Sequence, residues 1–168
     1  MSKTNESAAA ASSGAHPRLE ALIERARHAA GTPVTIALVY PCDALAMDAA
    51  RQIVALGLAR PLLVGPRAVI ERASDAAQVD AGDFEIVDTP GGPVAAARRA
   101  VALACEAEVL ALMKGSLHTD ELMSAFVDRD AGMRTDTRIS HLFLFDLPRY
   151  PKLLGLTDCA INIAPDLK

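Results

Sequence analysis

A parallel α/β sheet with helices on both faces is the fold class that this sequence predicts, on three observations. Short apolar runs, several rich in β-branched residues, alternate with segments of helical periodicity. The runs are four to seven residues long, the length of strands rather than of helices. Turn and stop residues (Pro41, Gly57, Gly65-Pro66, Thr89-Pro90-Gly91-Gly92) stand at the junctions. Short apolar strands separated by helices build a sheet buried on both faces, with right-handed crossovers.

Taken in order, Leu19, Leu22, Ile23 and Ala26 recur at i, i+3, i+4 and i+7, one face of a helix. Val34 to Tyr40 is a strand, stopped by Pro41. Asp43 is placed to cap a helix in which Ala46, Ala49, Ala50, Ile53 and Val54 face one way and Asp48, Arg51 and Gln52 the other. Gly57 ends it. Pro61 to Val64 is the next strand, followed by a short helix near Ala68 to Ala73. Phe84 to Val87 is a third strand. Val94, Ala97, Val101, Ala104 and Cys105 mark a long amphipathic helix. Val109 to Met113 is a strand, Lys114 to His118 a loop, and Thr119 to about Val127 a helix.

The last forty or so residues break this rhythm. Ser140 to Leu147 alternates as a strand does, and Leu153 to Leu156 and Cys159 to Ile163 are further apolar runs with no helix between. An antiparallel pair joined through Pro148-Arg149-Tyr150-Pro151 is the simplest reading. No capped helix precedes Lys168, so the pattern predicts an open edge or an unburied face and a domain left incomplete. The expected organisation is a disordered leader over 1–16, a first α/β domain over 17–147, and the start of a connection into a second domain over 148–168.

Composition narrows the function classes. Hydrophobic residues make up 51% and charged residues 23%, a globular balance. Aromatics are 4% with no Trp, so Ala, Val, Leu and Ile must build the core. A net charge of -4 argues against nucleic acid as a partner. Cys42, Cys105 and Cys159 are odd in number and lack CxxC spacing, which fits reduced thiols in a cytoplasmic protein better than disulfides or zinc. No apolar run reaches the ~20 residues that span a bilayer.

In open α/β sheets ligands bind beyond the carboxyl ends of the strands, where helix N-termini attract anions. Four loops qualify: Pro41 to Asp43, Gly65 to Arg67, Thr89 to Gly92, and Lys114 to Thr119. The last offers an ammonium (Lys114), a glycine that lets backbone approach a ligand (Gly115), hydroxyls (Ser116, Thr119) and a helix start, a set suited to phosphate or acyl phosphate. Asp120 and Glu121 oppose this, and an ordinary capped helix has the same look. In Gly132-Met133-Arg134-Thr135-Asp136-Thr137-Arg138, two arginines with interleaved hydroxyls suit phosphate oxygens, or are a solvated loop. His118 is a general acid–base candidate or a cap residue. Cys42, just before a helix, has either a lowered pKa or a packing role. Asp146 and Asp158 position a ligand or end strands, and Asn162 needs partners among apolar neighbours. No nucleophile triad and no metal-ligand spacing emerges.

Three stretches together resemble the phosphate acetyl/butyryltransferase family. They are Ala111 to Thr119 (ALMKGSLHT), Arg134-Thr135 with Ile139 to Phe143 (RT…ISHLF), and Leu156 to Pro165 (LTDCAINIAP), with Tyr40-Pro41-Cys42-Asp43 and Leu63-Val64-Gly65-Pro66 upstream. The likeness covers roughly residues 18 to 168 and corresponds to the family's front half. The stretch Tyr150 to Leu156 departs from the family's usual run, which puts the local register in question.

The resemblance implies interconversion of acyl-CoA and phosphate with acyl phosphate and coenzyme A (CoA), CoA being a substrate rather than a tightly bound cofactor, and no metal. It implies an isocitrate/isopropylmalate dehydrogenase-like two-domain architecture, here truncated before the second domain is complete, and a homodimer. Some relatives carry an enoyl-CoA hydratase domain ahead of the transferase. Lys114, Gly115, Ser116 and Thr119 are expected at the cleft, Arg134 and Thr135 at phosphate or CoA, and Asn162 and Pro165 at a strand end beside it. The catalytic groups are expected in the family's other half, so no catalytic residue is assigned here. The acyl group, acetyl, propionyl or butyryl, is not specified by these residues. The competing readings are a non-catalytic CoA-binding or assembly module of the same fold, and an unrelated nucleotide-binding α/β domain, which the missing GxGxxG and Walker patterns disfavour.

Overall fold

The structure, a computed structural model, describes residues 16–29, 31, 33–130, 133, 135–137 and 139–159. In chain order its elements are α1 (Pro17–Ala29), β1 (Val34–Val39), α2 (Ala44–Ala55), β2 (Ala59–Gly65), α3 (Arg67–Ala77), a 3-10 turn (Ala81–Asp83), β3 (Glu85–Asp88), α4 (Pro93–Cys105), β4 (Ala111–Lys114), α5 (Thr119–Phe126), β5 (Leu142–Phe145) and β6 (Leu154–Thr157). The chain divides into two compact units, residues 30–135 and residues 1–29 with 136–168.

The 30–135 unit is built on a four-stranded sheet of order β3-β2-β1-β4, parallel throughout. Register aligns the strand ends: Val39 lies beside Val64 on one side and Lys114 on the other, and Gly65 lies beside Asp88. Side chains alternate between the faces with period two. Ala37, Val39, Leu62 and Val64 pack with Ala96, Ala97, Ala100 and Val101 of α4 and Ala125 of α5. Leu38 and Leu63 point to the opposite face, against Met47 and Ala50 of α2 and Ile70 and Ala73 of α3. Helices thus cover both faces, as the sequence predicts. On the α4 face, five of the twelve buried core residues are alanines and the rest are Val and Leu. That is how a core forms with so few aromatics.

Local chemistry sets the helix limits. The Asp43 side chain accepts a hydrogen bond from the Ala46 N–H and caps α2. Gly57, at φ +64°, takes the left-handed position after the helix that a side chain disfavours. Pro93 opens α4, where its missing N–H costs nothing. Three expectations shift. Tyr40 falls outside β1, because its φ of +55° breaks the extended run. The helix expected over 68–73 runs from Arg67 to Ala77. Val54, expected on one helix face with Ala46 and Ala50, is exposed where those two are buried. The run expected from Cys159 lies outside the described residues from 160 on.

The second unit contains α1 and the antiparallel pair β5–β6, registered from Leu142 beside Thr157 to Phe145 beside Leu154, the pairing expected from sequence. Asp146 follows β5, and its side chain is only 2% exposed. Its carboxylate accepts from the backbone N–H groups of Arg18 (2.8 Å) and Leu19 (3.3 Å) and from the Arg18 guanidinium (2.6 Å). Asp146 therefore caps the N-terminus of α1 from 128 positions away. Of the two roles weighed for Asp146, the structure places it at a strand end and adds this long-range cap.

Burial pushes the Asp146 carboxyl up, but the Arg18 guanidinium and the two backbone N–H groups outweigh it and hold the pKa below the ordinary value. A depressed carboxyl pKa contributes stability above the unfolded value of about 3.9, and the contribution is lost as pH falls through the folded value. Hydrogen exchange should therefore show α1 losing protection as pH drops below about 4. In Asp146→Asn, α1 should be less protected at neutral pH, and its acid-dependent loss should be abolished.

Candidate functional site

Because all four strands of the 30–135 unit run the same way, their carboxyl ends share one edge. The four loops picked out from sequence all leave from that edge: Tyr40 to Asp43 after β1, Pro66 after β2, Thr89 to Gly92 after β3, and Gly115 to His118 after β4. β2 and β3 extend the sheet on one side of β1, and β4 lies on the other. The order therefore reverses between β1 and β4, which is where open α/β sheets form their ligand crevice.

The two loops at that reversal are sewn together. The Gly115 N–H donates to the Val39 carbonyl and the Ser116 N–H to the Tyr40 carbonyl, both at 2.9 Å. In return, the Cys42 N–H donates to Ser116 Oγ, also at 2.9 Å. Tyr40 turns through its positive φ to present that carbonyl, while its own N–H stays with Val64. Gly115 has a specific steric reason. A Cβ there would lie 2.5 Å from the Val39 carbonyl oxygen and 2.7 Å from that of Tyr40. The close approach it permits is to the backbone of Val39 and Tyr40.

Around this seam, Lys114 donates from Nζ to the carbonyls of Leu117 (2.7 Å) and Gly115 (3.2 Å), curling its ammonium over the loop. Leu117 is buried in the α4-side core and anchors the loop from below. Ser116 accepts from Cys42 but keeps its own O–H to donate. Thr119 is exposed at the first turn of α5. The His118 N–H is taken by Glu121 Oε2 at 2.7 Å, which gives His118 a capping position. Thr135 is exposed near the end of the same unit. Arg134, Asn162 and Pro165 lie outside the described residues, as do Gly132 and Arg138. The structure thus joins Gly115 and Ser116 to Val39, Tyr40 and Cys42, while the Lys114 ammonium stays with the carbonyls of its own loop. The partnership of Cys42 with Ser116 was not legible in sequence, since it depends on β1 and β4 being neighbours.

Burial pushes the Cys42 thiol up to about 11; a hydrogen bond with Tyr40 and the positive charge of Arg72 pull it down, and Asp43 adds to the rise. The lowered-pKa alternative for Cys42 is therefore corrected: the thiol stays protonated and packs against the α2–α3 side of the core. Burial, then proximity to Cys42, also raises the Tyr40 hydroxyl.

The helix N-termini differ in electrostatics. Asp43 caps α2, the Asp88 carboxylate accepts the Arg67 N–H at the start of α3, and Asp120 and Glu121 occupy the first turn of α5. The first turn of α4 carries no acidic residue, and its cap position is Gly92. Just before it, Thr89 is buried, and its hydroxyl has no hydrogen-bond partner among the described residues. Also among the described residues, no group of three or more His, Cys, Asp or Glu is placed to hold a metal ion, and no helix is long and apolar enough to cross a membrane.

A parallel α/β unit with loops gathered at the reversal of strand order defines the class: an open-sheet α/β protein, a kind of sheet whose ligand crevice lies beyond the carboxyl ends of its strands. Similarity to known proteins is more specific. The chain is 43% identical over 151 residues to the phosphate acetyltransferase of Rhizobium meliloti, which covers 90% of this chain and 47% of that protein. It is 43% identical over 81% of its length to the phosphate acetyltransferase of Rickettsia felis, and 32% identical over 79% to the phosphate butyryltransferase of Clostridium acetobutylicum. No protein-family model matches. Among solved structures, a branched-chain phosphotransacylase from Enterococcus faecalis V583 shares the fold, with a TM-score of 0.63, 19% identity, and coverage of 79% of this chain and 45% of that one. The chain thus resembles the phosphate acetyl/butyryltransferases along most of its own length, and spans about half the length of the curated relatives it matches.

Two outcomes follow from the seam. Gly115→Ala should destabilise the unit by about 1–3 kcal/mol, read as a lower urea midpoint with unchanged slope, because neither backbone carbonyl can give way. Alkylation by iodoacetamide at pH 8, followed by mass spectrometry, should modify Cys42 at least about tenfold more slowly than the exposed Cys105 and Cys159.

Proposed function

We propose that the chain is the acyl-phosphate- and CoA-handling part of a phosphate acyltransferase, serving the reaction acyl-CoA + phosphate ⇌ acyl phosphate + CoA. The observation that carries this reading is the 43% identity with a phosphate acetyltransferase across nine-tenths of the chain. The position of the Lys114–Thr119 loop at the reversal of strand order agrees with it. In the acyl-phosphate-consuming direction, the CoA sulfur attacks the acyl carbonyl. A C–S bond forms, the C–O bond to phosphate breaks, the thiol proton passes to a base, and phosphate leaves. Positioning and charge stabilisation do most of this work.

Within this reading, Lys114 supplies positive charge toward phosphate oxygens by exchanging its carbonyl partners for the ligand. The Ser116 and Thr119 hydroxyls donate hydrogen bonds, and Gly115 holds the loop against β1. Arg134, Thr135, Asn162 and Pro165 complete the substrate contacts. The base and the groups that stabilise the transition state belong to the half of the relatives that this chain does not span. The same proposal includes an isocitrate/isopropylmalate dehydrogenase-like architecture for the whole enzyme, a homodimeric state and a cytoplasmic setting.

Calorimetric titration tests the binding role. The chain should bind CoA, and Lys114→Ala should weaken that binding by about tenfold with an unchanged melting temperature. Turnover of acetyl phosphate and CoA by the isolated chain should be negligible. Ordinary enzyme rates from a homogeneous sample would place the catalytic groups within these 168 residues instead.

A further inference from the structure

We propose that the groove between the C-terminal ends of α2 and α3 binds a small organic amine, a protonated nitrogen carried on an apolar body. The inference stands apart from the acyltransferase reading and concerns the opposite end of the sheet. α2 leads into β2, and α3 leads through the 3-10 turn into β3. The groove therefore lies by the amino ends of those strands, away from the loops at their carboxyl ends. Its lining residues all fall between Arg51 and Phe84, within the 30–135 unit.

The groove has a volume of about 500 Å³, the size of a small-molecule site. Val54 and Ala55 of α2, with Val79 and Phe84 from the segment after α3, give it an apolar lining. Val54 is 52% exposed, so the core leaves this branched side chain uncovered. An apolar body laid there would remove that surface from water.

Charge decides the class of ligand. Asp80 and Asp83 also line the groove, and no cation pairs with either carboxylate among the described residues. One Asp80 oxygen accepts the Gly82 N–H at 2.8 Å, and the other takes no part in that bond. Ala55 ends α2 and Gln78 caps the end of α3, and both border the same space. A helix C-terminus carries partial negative charge, and neither helix has a basic residue in its last turn to offset it. Arg51, the cation of the lining, is held by Asp48 through bonds of 2.5 and 3.1 Å. An anion would meet two carboxylates, two helix C-termini and a guanidinium already neutralised. An ammonium would find complementary charge, and the Phe84 ring adds an attraction of its own for a cation.

Nuclear magnetic resonance on the isotope-labelled 168-residue chain tests the site with phenethylamine, which is protonated at neutral pH. Saturable shifts should appear at the amides of 54–57 and 78–84, and none at 115–119. Phenethyl alcohol keeps the body without the charge, and ethylamine keeps the charge on a short body. Each should bind at least about tenfold more weakly. The double variant Asp80→Asn, Asp83→Asn should weaken phenethylamine binding at least about tenfold. Val54→Lys, at an exposed position, should abolish it by placing an ammonium in the groove. Unchanged β1 amide shifts are the check on folding in both variants. Four results overturn the proposal: no saturable shift, shifts confined to 115–119, equal binding of phenethyl alcohol or phenylacetate, or an affinity that either variant leaves unchanged.

Discussion

The close approach of two strand ends, those of β1 and β4, organises the 30–135 unit. Where β4 meets β1, the backbone of Gly115 and Ser116 lies against the carbonyls of Val39 and Tyr40. Any side chain at position 115 would collide with both. From that contact the rest follows. β4 joins the sheet next to β1 rather than next to β3, the order reverses there, and two loops are held as one surface. Tyr40 takes a costly left-handed conformation to present its carbonyl, and surrounding bonds hold it there. The hydroxyl of Ser116 closes the stitch by accepting the Cys42 N–H.

This arrangement separates scaffold from chemistry within a single motif. Ser116 and Gly115 look like ligand groups in a linear reading, yet both are engaged in joining the strands. Lys114 is held by carbonyls of its own loop, bonds that a ligand with stronger acceptors could replace. Carboxylates at the starts of α2, α3 and α5 already satisfy their backbone donors, so a bound anion would have to compete with them. Lys114 stands at the end of β4, beside this reversal, which fits a loop that positions a charged group rather than one that encloses it.

Much of the local structure was legible in the sequence, and the reason is physical. Strand runs such as VTIALV, the Asp43 cap and the Pro93 start are decided by neighbours a few residues away, so they can be read without knowing the fold. What could not be read depends on distant pairing. The strand order, the steric meaning of Gly115 and the use of Asp146 as a cap for α1 all require knowing which segments meet, and the last spans 128 positions. Cys42 illustrates the same divide. Its place before a helix left a lowered pKa and a packing role both open, and burial, a property of the assembled core, decides between them by pushing its thiol up to about 11. Of the site residues expected from sequence, Lys114, Gly115, Ser116, Thr119 and Thr135 fall among the described residues, and of these Gly115 and Ser116 are tied to the end of β1 and its loop.

The alanine-lined contact between α4 and the sheet gives the two sides of the protein different room for change. Ala96, Ala97 and Ala100 are each 0% exposed, so a larger residue at any of them would have to lift a whole helix off the strands. On the other side, Met47, Leu38, Leu63 and Ile70 fill the space with longer side chains that can exchange volume among themselves. Sequence drift across descendants should therefore concentrate under α2 and α3, while the α4 stripe admits little but glycine or serine.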